Sequence, residues 1–173
     1  MNSNENLLSE IPRLSWEEAF MSMVCIYAMR SPDLATRHGC VIVDVDNHPV
    51  GWGYNGFPKG GTNELYPTDR PRKYNFCAHA ELNSLLNRTM NTSGGTAYVT
   101  GKPCCGCMVA MIQAGIKKVV YGKIGSHCVD SSGWKDVIFM SEDCGVELCE
   151  SKCLPIKNFE LTQEYLKIKS WIE

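Results

Sequence analysis

Two short stretches of the chain concentrate reactive side chains: His79-Ala80-Glu81 and Pro103-Cys104-Cys105-Gly106-Cys107. An imidazole and two thiols are nitrogen and sulfur donors of the kind that hold zinc, and three protein donors leave one tetrahedral corner open for water. At such a corner the pKa of water falls from 15.7 toward ~7. Glu81, two residues past the histidine, is placed beside that corner without joining the ligands, and a carboxylate there can carry the water's proton elsewhere. Singly, each stretch is ordinary. Cys-x-x-Cys also serves structural zinc knuckles and redox pairs, and His-x-Glu commonly just opens a helix. Together they describe an open metal site with a proton carrier.

For the two stretches to meet, the elements around them must bring both to one edge of a sheet. Ser15-Trp16-Glu17-Glu18 is a capping box followed by an apolar run, which predicts a helix ending near Arg30. Strands follow at Cys40 to Asp44 and Pro49 to Tyr54, joined by a turn at Asp46-Asn47. A Gly/Pro-rich, charged stretch from Gly56 to Asn75 is too long for a mere connector and points to a functional loop. Beyond it, helices at His79 to Arg88, Cys104 to Ala114 and Trp134 to Ser141 alternate with strands at Thr96 to Thr100, Lys117 to Tyr121 and Val146 to Cys149. Alternation of this kind requires crossovers and partly parallel strands. The expected fold class is a three-layer α/β/α domain with a central mixed five-stranded sheet. It is a single domain over 1–173, with a core at about 15–150 and a last amphipathic helix at about 160–172 carrying Leu161, Tyr165, Leu166 and Ile172. In this layout the helices opened by His79 and by Pro103-Cys104 start at the same sheet edge, and their positive ends favour thiolates there. Pro103 suits a first helical turn because its missing N–H would have had no partner.

The 173 residues are 44% apolar, ample for one core, and carry a net charge of -2. That balance excludes the basic footprint of a protein gripping polymeric nucleic acid, so a small substrate is expected. No stretch reads as a leader or a membrane span, and a cytoplasmic protein is expected. The ten cysteines then read as thiols and metal ligands rather than as a disulfide framework. Cys105 reads as packing and His48 as a solvated turn residue. Cys144, Cys149 and Cys153 could join Cys128 or His127 around a second metal, against the simpler reading of free thiols.

With Arg30-Ser31-Pro32-Asp33, Gly53-Tyr54-Asn55-Gly56-Phe57-Pro58 and Lys73-Tyr74 added to the two metal stretches, the chain resembles the deoxycytidylate deaminases of the cytidine deaminase-like superfamily over roughly Ser15 to Glu150. His-x-Glu with Pro-Cys-x-x-Cys is the known signature of zinc deaminases, the glutamate lying outside the metal shell. The resemblance implies zinc on His79, Cys104 and Cys107, and Glu81 as the proton shuttle in deamination of dCMP to dUMP. It implies Asn55 at the sugar, Ala80 beside the substrate and Arg30 with Ser31 near the phosphate. It further implies a loop containing Gly53, Tyr54, Gly56 and Phe57 that serves a nucleoside triphosphate, with Mg2+, in a homo-oligomer, commonly a hexamer, activated by dCTP and inhibited by dTTP. One departure stands out. Many relatives place a Tyr-Arg or Tyr-His pair after the fourth strand, where this chain has Gly122 to Asp130, and His127 is the candidate to contact the nucleotide instead. Arg37, Lys59, Arg70, Arg72 and Lys73 are further phosphate candidates.

The loop leaves room for a 5-methyl or 5-hydroxymethyl dCMP as the alternative substrate. Another cytosine or adenine nucleotide is a further alternative, and the non-enzymatic one is a silent nucleotide sensor, against which the presence of Glu81 argues.

Overall fold

The computed structural model describes residues 13–125 and 130–153. Helix α1 (Trp16–Ala28) starts at the expected capping box: Ser15 Oγ accepts from the Glu18 N–H at 3.2 Å while the Glu18 carboxylate accepts from the Ser15 N–H at 2.7 Å. Two of the N–H groups that a helix start leaves without partners are thereby satisfied. The buried side chains Phe20, Met21 and Val24 lay this helix on one face of the sheet, against Val41, Val43, Tyr98 and Val120.

Strands β1 (Gly39–Val43) and β2 (Pro49–Tyr54) form an antiparallel hairpin. Its turn is closed by Asn47 at φ 65°, a left-handed conformation that asparagine tolerates better than most residues. β1 also pairs antiparallel with β3 (Thr96–Gly101), which runs parallel to β4 (Lys118–Ile124), itself parallel to β5 (Glu147–Glu150). The order across the sheet is β2-β1-β3-β4-β5. Parallel neighbours need crossovers, and α3 (Cys105–Gln113) and α4 (Ser131–Asp143) supply them. With α2 (Ala80–Leu86) they cover the other sheet face, where Ala80, Leu85, Met108, Met111 and Val137 pack on Cys40, Ile42, Ala97, Val99 and Val119. β1 is buried from end to end because both of its faces are covered.

The mixed five-stranded sheet with a helical layer on each side is the architecture the alternation predicted. Helix α4 starts three residues before Trp134 because Asp130 caps it, its carboxylate accepting from the Gly133 N–H at 2.7 Å. β4 runs three residues past Tyr121, its end pairing with Gly101 after a register shift. The helix expected at 160–172 and His127 lie outside the described residues. Among the described residues no helix is long and apolar enough to cross a membrane.

Candidate active site

His79 and Cys104 occupy the N-cap positions of α2 and α3, both in extended backbone, and neither gives its helix a capping hydrogen bond. N-caps favour Ser, Thr, Asp and Asn because those side chains satisfy free N–H groups. Here both side chains turn toward each other instead. His79 Nδ1 lies 3.4 Å from Cys104 Sγ and 3.4 Å from Cys107 Sγ, one turn into α3. The three donor atoms all lie within 4.8 Å of one another. Zinc–nitrogen and zinc–sulfur bonds at a tetrahedral angle separate the two donors by about 3.5 Å, so the site has the dimensions of a zinc site with three protein ligands.

The protonation of the two thiols fits the same purpose. The hydrogen bond from Cys107, aided by His79, outweighs burial and pulls Cys104 down to about 4. Cys107 is pushed up because it keeps the proton it shares with Cys104 and because it is buried beside Glu81. A divalent ion held by His79, Cys104 and Cys107 would take the place of that shared proton, as metal binding to thiols requires.

Glu81 is 6% exposed and stands in the first turn of α2, outside the three-donor group. Burial raises its carboxyl above the ordinary range, against the lowering effects of a backbone hydrogen bond and of His79. A buried carboxyl raised in this way is suited to accept and return a proton.

His79, Cys104 and Glu81 line one cavity together with Ala80, and Cys107 lies beside them in the donor group. Its walls also carry Thr36, His38, Asn55 and Lys73, and the exposed Arg70 and Lys102 stand at its mouth. Of the expected substrate residues, Asn55 and Ala80 are therefore on the cavity. The Asn55 carboxamide is held at both ends: its Oδ1 accepts from the His38 N–H at 2.7 Å and its Nδ2 donates to the Thr36 carbonyl at 3.0 Å. Ser31 is buried behind it, its hydroxyl donating to the Asn55 carbonyl at 2.7 Å, and Arg30 is exposed past the end of α1. Neither lines the cavity.

The residues expected to serve a triphosphate have local structural roles. Gly53 faces the backbone of α2, Tyr54 accepts from Asn83 Nδ2 through its carbonyl at 2.8 Å, and Gly56 pairs with Ala78 in an isolated bridge. Phe57 stacks on Tyr66 at 4.9 Å and, with Gly56, lines a second cavity that shares Asp33, Lys73 and Cys77 with the first. Cys105 donates to the Gly133 carbonyl, a packing role. Cys144, Cys149 and Cys153 belong to no metal-sized group among the described residues.

Sequence reasoning did not single out His38 or Lys102. The ring of His38 is fixed by a 2.9 Å contact between its Nδ1 and Thr100 Oγ1, and the ammonium of Lys102 lies 4.5 Å from the centre of the Trp134 ring. His38 is followed by Gly39, whose Cβ would meet the α1 backbone at 2.1 Å. A glycine beginning a strand was the available signal that β1 passes close under a helix there.

Residues 14–123 match the family described as the cytidine and deoxycytidylate deaminase zinc-binding region. The chain belongs to this deaminase family. The mouse deoxycytidylate deaminase is 39% identical over 115 residues, covering 62% of this chain and 65% of the mouse enzyme, just under two thirds of it. The human deoxycytidylate deaminase is 35% identical over 133 residues, covering 73% of this chain and 75% of the human enzyme. Among solved structures, the dCMP deaminase of cyanophage S-TIM5 in complex with dCMP and dUMP superposes with a TM-score of 0.65 at 26% identity, covering 82% of this chain and 100% of that one. The three-donor group of this family member lies within the matched residues.

Proposed function

We propose that the chain hydrolyses dCMP to dUMP and ammonia. The observation that carries this reading is a single cavity lined by His79, Cys104 and a buried Glu81, with Cys107 completing the three-donor group behind it. A zinc ion held by these three residues supplies Lewis acidity that makes water nucleophilic near neutral pH. Glu81 takes the proton from the attacking water as the C4–O bond forms and delivers it to the ring nitrogen N3. It then helps move a proton to the exocyclic amine as the C4–N bond breaks, and ammonia leaves. Arg70 and Lys102 line the mouth and, among the described residues, belong to no ion pair. Their uncompensated charge suits a substrate with an anionic phosphate and favours the nucleotide over the free nucleoside. The bound nucleotides of the cyanophage relative support the same substrate class.

The test is ultraviolet-monitored deamination of dCMP, 5-methyl-dCMP, 5-hydroxymethyl-dCMP, CMP, deoxycytidine and dCTP by zinc-loaded protein. The expected result is the highest kcat/KM for dCMP; no turnover of any cytosine compound overturns the proposal. Assembly into a hexamer and control by dCTP and dTTP belong to the same reading. Light scattering and rate curves with each triphosphate check them, and a monomer with hyperbolic, triphosphate-independent rates refutes both.

A further inference from the structure

In the cavity wall a largely buried ion pair joins two segments far apart in sequence. Lys73 Nζ donates to Asp33 Oδ2 at 2.6 Å across a separation of 40 residues, and their side chains are only 5% and 13% exposed. Lys73 stands on the 3-10 turn Arg72–Asn75 at the end of the long loop, and Asp33 stands in the segment after α1. Burying such a pair is poor economy if stability is its only use, because desolvation of both charges largely cancels their attraction.

What the pair does hold is a chain of contacts leading to the cavity. Asp33 Oδ1 accepts from the N–H groups of Ala35 and Thr36 at 2.9 and 3.3 Å, folding residues 33–36 into a turn. Asp33 Oδ2 also accepts from Asn55 Nδ2, at 3.4 Å. The turn presents the Thr36 carbonyl that fixes Asn55 Nδ2 and the Thr36 hydroxyl that accepts from Arg70 Nη2 at 3.0 Å. Asn55 and the cationic rim at Arg70 therefore both depend on the Asp33 carboxylate, and Lys73 locates that carboxylate. Both members of the pair line the cavity.

We propose that Lys73 and Asp33 are positioning residues, which hold the Asn55 carboxamide in one orientation and set the mouth at which the sugar–phosphate end of the nucleotide binds. The role assigned to the mouth rests on the proposed function; the orientation of Asn55 does not. Neither residue is among the metal-binding donors, so the pair acts on substrate binding and leaves the metal centre intact.

The experiment compares zinc-loaded full-length wild type with Lys73→Met and with the double variant Asp33→Asn/Lys73→Met. Lys73→Met leaves a buried charge without its partner and is expected to raise the KM for dCMP about 10-fold or more while kcat changes less than about threefold. Zinc content stays at the wild-type level. The double variant is expected to recover part of the KM, because an amide oxygen at position 33 still accepts from Ala35 and Thr36 and no bare charge remains, while Asn55 Nδ2 keeps only its bond to the Thr36 carbonyl. A second readout needs no substrate: the Asn55 side-chain NH2 signals in NMR exchange slowly with water in wild type and faster in Lys73→Met. Should Lys73→Met not fold, Lys73→Gln takes its place in both measurements.

A KM within about twofold of wild type for the charge-deleting variant, loss of kcat with loss of zinc at unchanged KM, or a double variant no better than the single overturns the proposal. Equal exchange of the Asn55 signals in variant and wild type does the same. A wild type inert toward dCMP would remove the proposed function, and the positioning of Asn55 would then be decided by the NMR signals.

Discussion

A methyl group added at Gly53 tests how the sheet sets the position of the proton carrier. Gly53 lies in β2 without a positive φ, so its backbone would accept any residue; what forbids a side chain is space. A Cβ there would sit 2.5 Å from the Ser84 nitrogen, 2.6 Å from the Ala80 carbonyl oxygen and 2.8 Å from the Asn83 carbonyl carbon. All three are backbone atoms of α2 that cannot rotate aside, so the helix itself must retreat by about 1 Å to reach ordinary contact. Overpacking of this kind costs about 1–3 kcal/mol, and in a domain of this size each kcal/mol lowers Tm by about 2–4 °C. Because α2 begins at His79 and carries Glu81 in its first turn, the same retreat moves one metal ligand and the carboxylate relative to Cys104 and Cys107. A 1 Å misplacement can cost about 100-fold in rate. The Gly53→Ala variant should therefore fold with a lowered Tm and lose far more kcat than its stability loss explains. Calorimetry, zinc analysis and dCMP kinetics on one preparation give the three numbers. A variant with wild-type kcat and zinc content would refute the claim that close packing of α2 on β2 places Glu81.

Glu81→Gln should keep zinc at wild-type stoichiometry and lose about 10²–10⁴-fold in kcat, whereas Cys107→Ala should lose both metal and turnover; metal analysis beside kinetics separates the two. Ser15→Ala removes the hydroxyl that caps α1 and should cost about 1 kcal/mol by chemical denaturation with kcat unchanged. For Asp33, burial would raise the carboxyl, but hydrogen bonds from Lys73, Ala35 and Thr36 together bring it below the ordinary range. It thus binds its proton less tightly folded than unfolded. Its contribution to stability is full above the usual carboxylate range near pH ~4 and fades as pH falls through the depressed value. Asp33→Asn should flatten the acid limb of the stability profile, and an unchanged limb would contradict the assignment.

The metal end of the site was legible because its information is local. His79 and Glu81 share one helix start, Cys104 and Cys107 share another, and the strand-helix alternation alone says that two such starts meet at a sheet edge. The capping box fixed the first residue of α1 in the same way, through contacts three residues apart. The mouth was legible only in part: Asn55, Arg70 and Lys73 were named as candidates, but the contacts that join them span tens of residues with no period to announce them. Lys73 sits in the run Asp69-Arg70-Pro71-Arg72-Lys73, which reads as solvated surface, and only the folding back of the loop buries it against Asp33. Arg30, expected near the phosphate, ends exposed, while Arg70 and Lys102 supply the cationic lining. Gly53 was expected at a nucleotide through the family resemblance alone, and the steric demand at that position, from a helix 30 residues away in sequence, had no local signal.

These two kinds of information divide the site along its chemistry. The donor end needs three donor atoms and a carboxylate at fixed separations, and two helix N-termini provide that precision because both helices pack their buried faces on the sheet. The mouth needs only to recognise what hangs from the base, and it is built by the segment 33–36 and the loop 56–75, which are tied to each other through Lys73 and Arg70 and to the end of β2 through Asn55. A change in the mouth therefore alters which nucleotide is bound while leaving intact the geometry that moves the proton. A change under α2, such as Gly53→Ala, does the reverse. If the division is real, substitutions at the mouth should appear in KM and those under α2 in kcat, and the same pair of measurements on Lys73→Met and Gly53→Ala decides whether the two ends are separable.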